Sequence, residues 1–346
     1  MPEFHKSDLH LHLNGSFSLS FLRETAAQHQ CLEIFQEFEA VRDRYLGQTQ
    51  QQPESGYNAD IIALVWKQFA LIHKIIQDLT DISNGVIDVV SNSTAKYLEI
   101  RTTPKIMAGH SESEYIDVFE AGLKSAKEQI AKKKAVGLLS LDRTQHTLKD
   151  AQFFIERIKK SPNKLLVGLD ISGNPLGHRT LTGEGLKEVI LMALDNEIPI
   201  AIHMGESDSE IERQDSDVVL SALQQWRISQ AQTAHNPFHG KVRLGHCIYL
   251  TREQKGKITQ LGVPVEVCPS CHNKLNWHFE HSPHPATGIY EDISEPVVVG
   301  TDDECIFGSS AKVELTLLLG LFSNRKNLSR QALKEHHETF RFSAIK

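Results

Sequence analysis

The sequence predicts an α/β chain folded as a (β/α)8 TIM barrel with a helical insertion between strands 1 and 2. Three observations predict it. Eight short leucine-rich or β-branched runs alternate with helical stretches along 346 residues. Most of those runs are nearly continuous in apolar residues, as strands covered on both faces of a parallel sheet must be. Successive runs stand mostly 20 to 40 residues apart, room for one crossover helix each.

Taken in order, the strands fall at Lys6 to His12, Tyr97 to Thr102, Val136 to Leu141, Leu165 to Ile171, Ile198 to His203, Val242 to His246, Val263 to Val267 and Val297 to Thr301. The first gap is the exception, with about 85 residues between strands 1 and 2. It holds helical stretches at Leu19 to Gln28 and near Ile34 to Tyr45, then the polar segment from Gly47 to Gly56. A third follows in which Ile61, Ile62, Val65, Phe69, Ile72 and Ile76 recur at helical spacing, with His73 beside that apolar stripe. Residues 13–96 therefore form a helical, lid-like insertion in one barrel domain spanning 1–346. There is no internal repeat, linker or extended low-complexity tract.

Composition narrows the function. The net charge is −7, from 44 acidic against 37 basic residues, and the one basic run is Lys132-Lys133-Lys134. Neither nucleic acid nor an anionic membrane is an expected partner. The longest apolar run, Leu315 to Phe322, is far too short to span a bilayer. Five cysteines, an odd number, with no secretory leader pattern, suit a reduced cytoplasmic protein better than a disulfide scaffold. A monomer is expected.

The informative residues stand where strands end. In Asp8-Leu-His-Leu-His-Leu-Asn-Gly-Ser16 the imidazoles of His10 and His12 alternate with leucines, so both project from one face before the Asn14-Gly15-Ser16 turn. With 18 histidines in the chain, about one His-x-His is expected by composition alone, so the pair needs company. It has company: His203 closes the fifth strand and runs on to Glu206, His246 closes the sixth, and Asp302 and Asp303 follow the eighth. In a barrel the carboxyl ends of all strands share one face. Three neutral imidazoles and a carboxylate suit Zn²⁺, whose charge brings a bound water's pKa toward neutrality. Glu206, three residues past His203, is placed to move protons. His246 or the second aspartate can orient the attacking oxygen.

These motifs, His10-Leu-His-Leu-Asn-Gly-Ser16, His203-Met-Gly-Glu206, Leu244-Gly-His246 and Thr301-Asp-Asp303, resemble in order, spacing and strand the motifs of the adenosine deaminase family of metal-dependent amidohydrolases. The likeness covers nearly the whole chain. It is greater to the adenosine deaminase-like branch, which acts on N6-methyl-AMP, by Asn14 in place of the usual Asp, Tyr97 to Lys105, Asp142, and Gly168 to Gly173. The resemblance implies one Zn²⁺ per chain on His10, His12, His203 and Asp302. It implies Glu206 as proton donor to purine N1 while hydroxide adds at C6, His246 to position the hydroxide, Asp303 on N7, and the Gly173 backbone N–H on the purine. His12 and Asp142 also border the substrate. Ammonia or methylamine leaves, giving IMP from a nucleotide.

Choice between nucleotide and nucleoside turns on a 5′-phosphate, which needs hydroxyl, N–H and cationic donors. Thr102, Thr103, Pro104 and Lys105 supply some of these. Asn14 is neutral where a carboxylate would repel the phosphate, and His73 joins this group by the same resemblance. The neighbouring alternative is adenosine deamination; a non-catalytic metal-binding barrel is the alternative of another class. The chain departs from its relatives at Cys247 after His246, at Asn174 after Gly173, and at Cys268-Pro-Ser-Cys-His-Asn273. Cys268 and Cys271, with His272, His278, His281 and His284, outline a second metal site, but fit no finger spacing, and reduced thiols in a polar loop are the expectation.

Overall fold

A computed structural model describes residues 7–49, 59–230, 236–275, 296–323 and 329–342. Its eight strands are β1 (Ser7–His12), β2 (Tyr97–Thr102), β3 (Lys134–Asp142), β4 (Leu166–Ser172), β5 (Ile200–Met204), β6 (Val242–His246), β7 (Val265–Val267) and β8 (Val297–Val299). They form one parallel sheet in chain order, nearly closed, a (β/α)8 barrel. After β8 the chain returns to β1 through a parallel bridge between Leu11 and Asp302. His12 N–H donates to Asp302 O at 2.7 Å, and Asp302 N–H to His10 O at 2.8 Å.

Between β1 and β2 lie α1 (Leu19–Gln28), α2 (Leu32–Thr49), α3 (Ala59–Ile75) and α4 (Leu79–Asn92). The sequence predicts the first three; α4 is an addition. Its start is written in Asp78 and Asp81, which cap the first turn reciprocally, and its apolar residues Ile82, Val86, Val89 and Val90 are buried. The barrel helices are α5 (Glu112–Gln129), α6 (Leu148–Lys159), α7 (Gly183–Asp195), α8 (Glu210–Ser229) and α9 (Arg252–Leu261). Short helices α10 (Pro269–Lys274) and α11 (Glu304–Phe307) follow β7 and β8, and α12 (Ala311–Leu321) and α13 (Arg330–Phe340) end the order.

The chain divides into two compact units. The first comprises Met1–Val136, Cys268–Pro283 and Gly300–Leu318; the second, Gly137–Val267, His284–Val299 and Leu319–Lys346. In the first, Leu9, Leu11 and Leu13 are wholly buried on one face of β1, and Asp8 and His10 are equally buried on the other. Both faces of the strand are therefore covered, as its apolar content requires. In the second, Leu169, Ile171, Ile200, Ile202, Val242 and Leu244 are wholly buried.

The eighth strand stops at Val299, two residues short of its predicted end. Gly300 passes so close to β1 that a Cβ there would lie 2.2 Å from His10 Cβ, and Asp302 takes a left-handed φ of 63°. The extended ladder cannot continue through that conformation. No helix among the described residues is long and apolar enough to cross a membrane.

Candidate active site

In the first unit, His10, His12 and Asp302 converge. Asp302 Oδ1 stands 3.4 Å from His10 Nε2 and 3.5 Å from His12 Nε2. Asp8, on the same face of β1, accepts from Thr301 Oγ1 at 2.6 Å and from the backbone N–H of His10 at 3.2 Å. Tying Thr301 down in this way sets Asp302 beside the two imidazoles. Burial, reinforced by Glu304, lifts the Asp8 carboxyl well above its usual range.

The turn after β1 does more than end a strand. A Cβ on Gly15 would fall 1.7 Å from Asp303 Oδ1, so only glycine admits that carboxylate. Gly15 O accepts from Cys305 N–H at 2.9 Å, and Ser16 Oγ from Glu304 N–H at 3.2 Å, which fixes the start of α11. Asn14 donates from Nδ2 to His73 Nε2 at 3.2 Å. His73 keeps an exposed face, but partial loss of hydration, helped by the charge of Lys105, lowers it to about 4, and a neutral ring is able to accept. Burial also lowers Lys105. Thr102 is buried with Oγ1 at 2.7 Å from the Tyr115 hydroxyl, while Thr103 and Lys105 are half-buried and Pro104 is buried.

In the second unit, His203, Glu206 and His246 form a triangle. Glu206 Oε1 lies 3.2 Å from His246 Nε2, Glu206 Oε2 3.7 Å from His203 Nδ1, and the two imidazoles are 3.2 Å apart. Behind His203, Asp170 Oδ1 sits 3.2 Å from Nε2, fully buried in β4. Burial pulls the His203 pKa down, but Asp170 and Glu206 outweigh it and raise it to about 10. Asp170 lies within the Gly168 to Gly173 motif, but the sequence alone assigns it no role; its one signal is a lone carboxylate inside an apolar strand. His246 and Cys247 hold left-handed φ values of 63° and 57°, and Gly205 one of 61°. Such conformations in non-glycine residues cost on the order of 1–3 kcal/mol each and persist only where the surroundings enforce them. Here Cys247 N–H donates to Met204 O at 2.9 Å, and Tyr249 N–H to Gly205 O at 2.8 Å.

Asp142 is half-buried, its Oδ1 accepting from Thr144 N–H at 2.8 Å and from Thr144 Oγ1 at 2.7 Å. Gly173 faces it with φ 125°, and a Cβ there would lie 2.5 Å from Asp142 Oδ1. Cys268, Cys271 and His272 are buried; His278, His281 and His284 lie outside the described residues. A further His29, Asp78 and Asp81 group gathers at the start of α4, where both carboxylates serve its capping box.

The donor chemistry suits a borderline divalent ion. Distances of 3.4 and 3.5 Å from two imidazole nitrogens to one carboxylate oxygen match a tetrahedral edge, roughly 3.3 Å for bonds of about 2.0 Å. His203, Glu206 and His246 likewise bring ligand atoms within 4.8 Å of one another.

The family model that matches the chain is described as adenosine deaminase and covers residues 5–337. The chain is 27% identical over 329 residues to N6-methyl-AMP deaminase-L of Xenopus laevis, covering 92% of this chain and 84% of that one. It is also 27% identical over 340 residues to N6-mAMP deaminase of Arabidopsis thaliana, with 90% and 85% covered. Among solved structures, the apo N6-methyl-AMP deaminase of Arabidopsis thaliana matches with a TM-score of 0.74 at 26% identity, covering 96% of this chain and 90% of that one. The Arabidopsis ADAL complexed with GMP matches equally well, at 0.74 and 25% identity, with 96% and 90% covered.

Proposed function

The chain belongs to the adenosine deaminase family, and on that premise we propose that it hydrolyses the C6–N bond of a 6-aminopurine 5′-monophosphate, with N6-methyl-AMP as substrate. Water and N6-methyl-AMP give IMP and methylamine. One Zn²⁺ on His10, His12, His203 and Asp302 would supply, when bound, a water acidic enough to attack at neutral pH.

The observation that carries the reading is Glu206, whose two carboxylate oxygens face His246 and His203 at 3.2 and 3.7 Å. A carboxyl held there can give its proton to purine N1, which makes C6 electrophilic, then pass the next proton to the departing amine. His246, 1% exposed and bonded to Glu206, holds the attacking oxygen toward C6 and meets the charge that develops on it. Asp303, seated against Gly15, would donate to purine N7 from its protonated carboxyl, and the Gly173 backbone takes the opposite edge of the ring. Asp142 shapes that loop, and His12 borders the ring.

Preference for a nucleotide is supported by Asn14, His73, Thr103 and Lys105, with the Thr102 hydroxyl held by Tyr115 at 2.7 Å and Pro104 shaping the strand exit. An ammonium, a neutral imidazole and neutral amide and hydroxyl groups suit a phosphate, with no carboxylate among them. The relative bound to GMP holds a 6-oxopurine monophosphate, the product class expected here. All five cysteines are buried, which suits a reducing compartment, and a cytoplasmic monomer completes the proposal.

The test competes N6-methyl-AMP against adenosine on zinc-loaded protein, following ultraviolet absorbance, with Glu206→Gln in parallel. The nucleotide should be favoured, and Glu206→Gln should lose about 10²- to 10⁴-fold in turnover while keeping its zinc. Preference for adenosine would overturn the nucleotide assignment. Full activity in Glu206→Gln would overturn the mechanism.

A further inference from the structure

Four charged side chains in the second unit are almost wholly withdrawn from water. Arg143, Arg179 and Glu212 are 0% exposed and Asp215 1%. They alternate in sign around a ring. Glu212 stands 3.5 Å from Arg143 and 2.5 Å from Arg179, and Asp215 stands 3.4 Å from Arg143 and 3.3 Å from Arg179. Thr182, which precedes α7, donates to Asp215 as well.

Each corner belongs to a segment that carries a residue of the proposed reaction. Arg143 directly follows Asp142 at the end of β3. Its carbonyl accepts from Thr180 N–H at 2.8 Å and Leu181 N–H at 3.0 Å. Arg179 reaches back to Asn174 O at 2.6 Å and Pro175 O at 3.4 Å, just beyond Gly173. Glu212 and Asp215 lie in the first turns of α8. Glu212 N–H donates to Ser209 Oγ at 3.4 Å, Ser209 Oγ is 2.9 Å from Ser207 Oγ, and Ser207 adjoins Glu206. Arg143 also feels the negative charge of Glu206 directly.

Stability alone would be served as well by apolar side chains of similar volume, since dehydrating four charges cancels most of their attraction. What the ring adds is direction: planar guanidinium forks fix both distance and angle between the segments they join. We infer that the Arg143, Glu212, Arg179 and Asp215 ring is a positioning device that holds the Glu206 and Gly173 loops in register. The inference rests on the roles proposed above for Glu206 and Gly173.

The decisive variant is the pair Arg179→Met with Glu212→Met, which removes one charge of each sign and leaves Arg143 facing Asp215. It is expected to melt near the unaltered protein and to bind the same zinc. On N6-methyl-AMP its kcat should fall about 100-fold, the effect of an ångström-scale misplacement, with KM nearly unmoved and the acidic limb of the pH profile displaced. Amide exchange at 173–178 and 205–209 should quicken about 10-fold or more without global destabilisation. A stable paired variant with unaltered kcat and unaltered exchange overturns the inference. Should the unaltered protein fail to turn over purine nucleotides, the proposed function falls, and exchange alone decides the ring: quickening in both loops supports it, no change overturns it. Should the paired variant not fold, Arg179→Lys keeps the charge and loses the fork. The same loop loosening is then expected, and its absence is disproof.

Discussion

Gly15 and Asp303 share one space: a single added carbon on the glycine would fall 1.7 Å from the Asp303 carboxylate, closer than any non-bonded contact. The two residues are 288 positions apart and belong to the two ends of the same unit. The turn that ends β1 therefore decides where the carboxylate proposed for the purine ring can stand.

Gly15→Ala should accordingly displace Asp303 rather than merely strain a turn. The expected loss in kcat/KM is about 100-fold, with about 1–3 kcal/mol of stability lost to overpacking. Steady-state kinetics beside denaturant titration separates the two. Unaltered kinetics would remove Asp303 from substrate recognition.

Asp170 faces His203 Nε2 at 3.2 Å and is placed to fix the ring's orientation. Asp170→Asn should weaken metal affinity about 10- to 100-fold, the usual cost of losing a carboxylate behind a ligating histidine. Competition with a chelator of known affinity measures it. Affinity equal to that of the unaltered protein would confine Asp170 to packing.

Lys105→Ala should separate nucleotide from nucleoside. A hydrogen bond to a charged group contributes about 1.5–3 kcal/mol, so KM for N6-methyl-AMP should rise about 10- to 100-fold. Adenosine turnover should change little. Equal losses on both would place Lys105 outside any phosphate contact.

Burial raises the Glu304 carboxyl from 4.5 to about 7, against the pull of the Ala311 N–H, Ser93 and Lys133. Between those values the folded chain keeps a proton that the unfolded chain has released. Stability should therefore fall as pH rises through that window, and be complete below it. The loss should amount to about 1–2 kcal/mol after allowance for partial solvation. Glu304→Gln should flatten the slope. Urea titrations at pH 5 and 7.5 read it, and a slope unchanged in the variant would assign it elsewhere.

The strand ends were legible because each joins a short-range signal to a long-range consequence. His203 and His246 close apolar runs, and β6 spans Val242 to His246 as the sequence predicts. His10 and His12 show the strand period directly. Asp170 was not legible, since its partner lies 33 residues on and a buried carboxylate reads like any polar residue. The charged ring was hidden for the same reason: Arg143 reaches Asp215 across 72 positions. Thr102 shows the converse. Its place at a strand exit suggested an open hydroxyl, but Tyr115, thirteen residues later, brings its own hydroxyl to 2.7 Å.

The bond between Asp8 and Thr301 spans 293 positions, and it sets an order on biosynthesis. At about 5–20 residues per second, a ribosome needs about 15–60 seconds after releasing Asp8 before Thr301 exists. Through that interval β1 can pair with β2 on one edge, but its other edge and the Asp8 carboxylate lack their partners at Thr301 and Asp302, and such long-range pairing is slow to form. The motif around Asp8 is thus made well before it can be completed. Expression in cells short of trigger-type chaperones should lower soluble yield more than it lowers the activity of each molecule that folds.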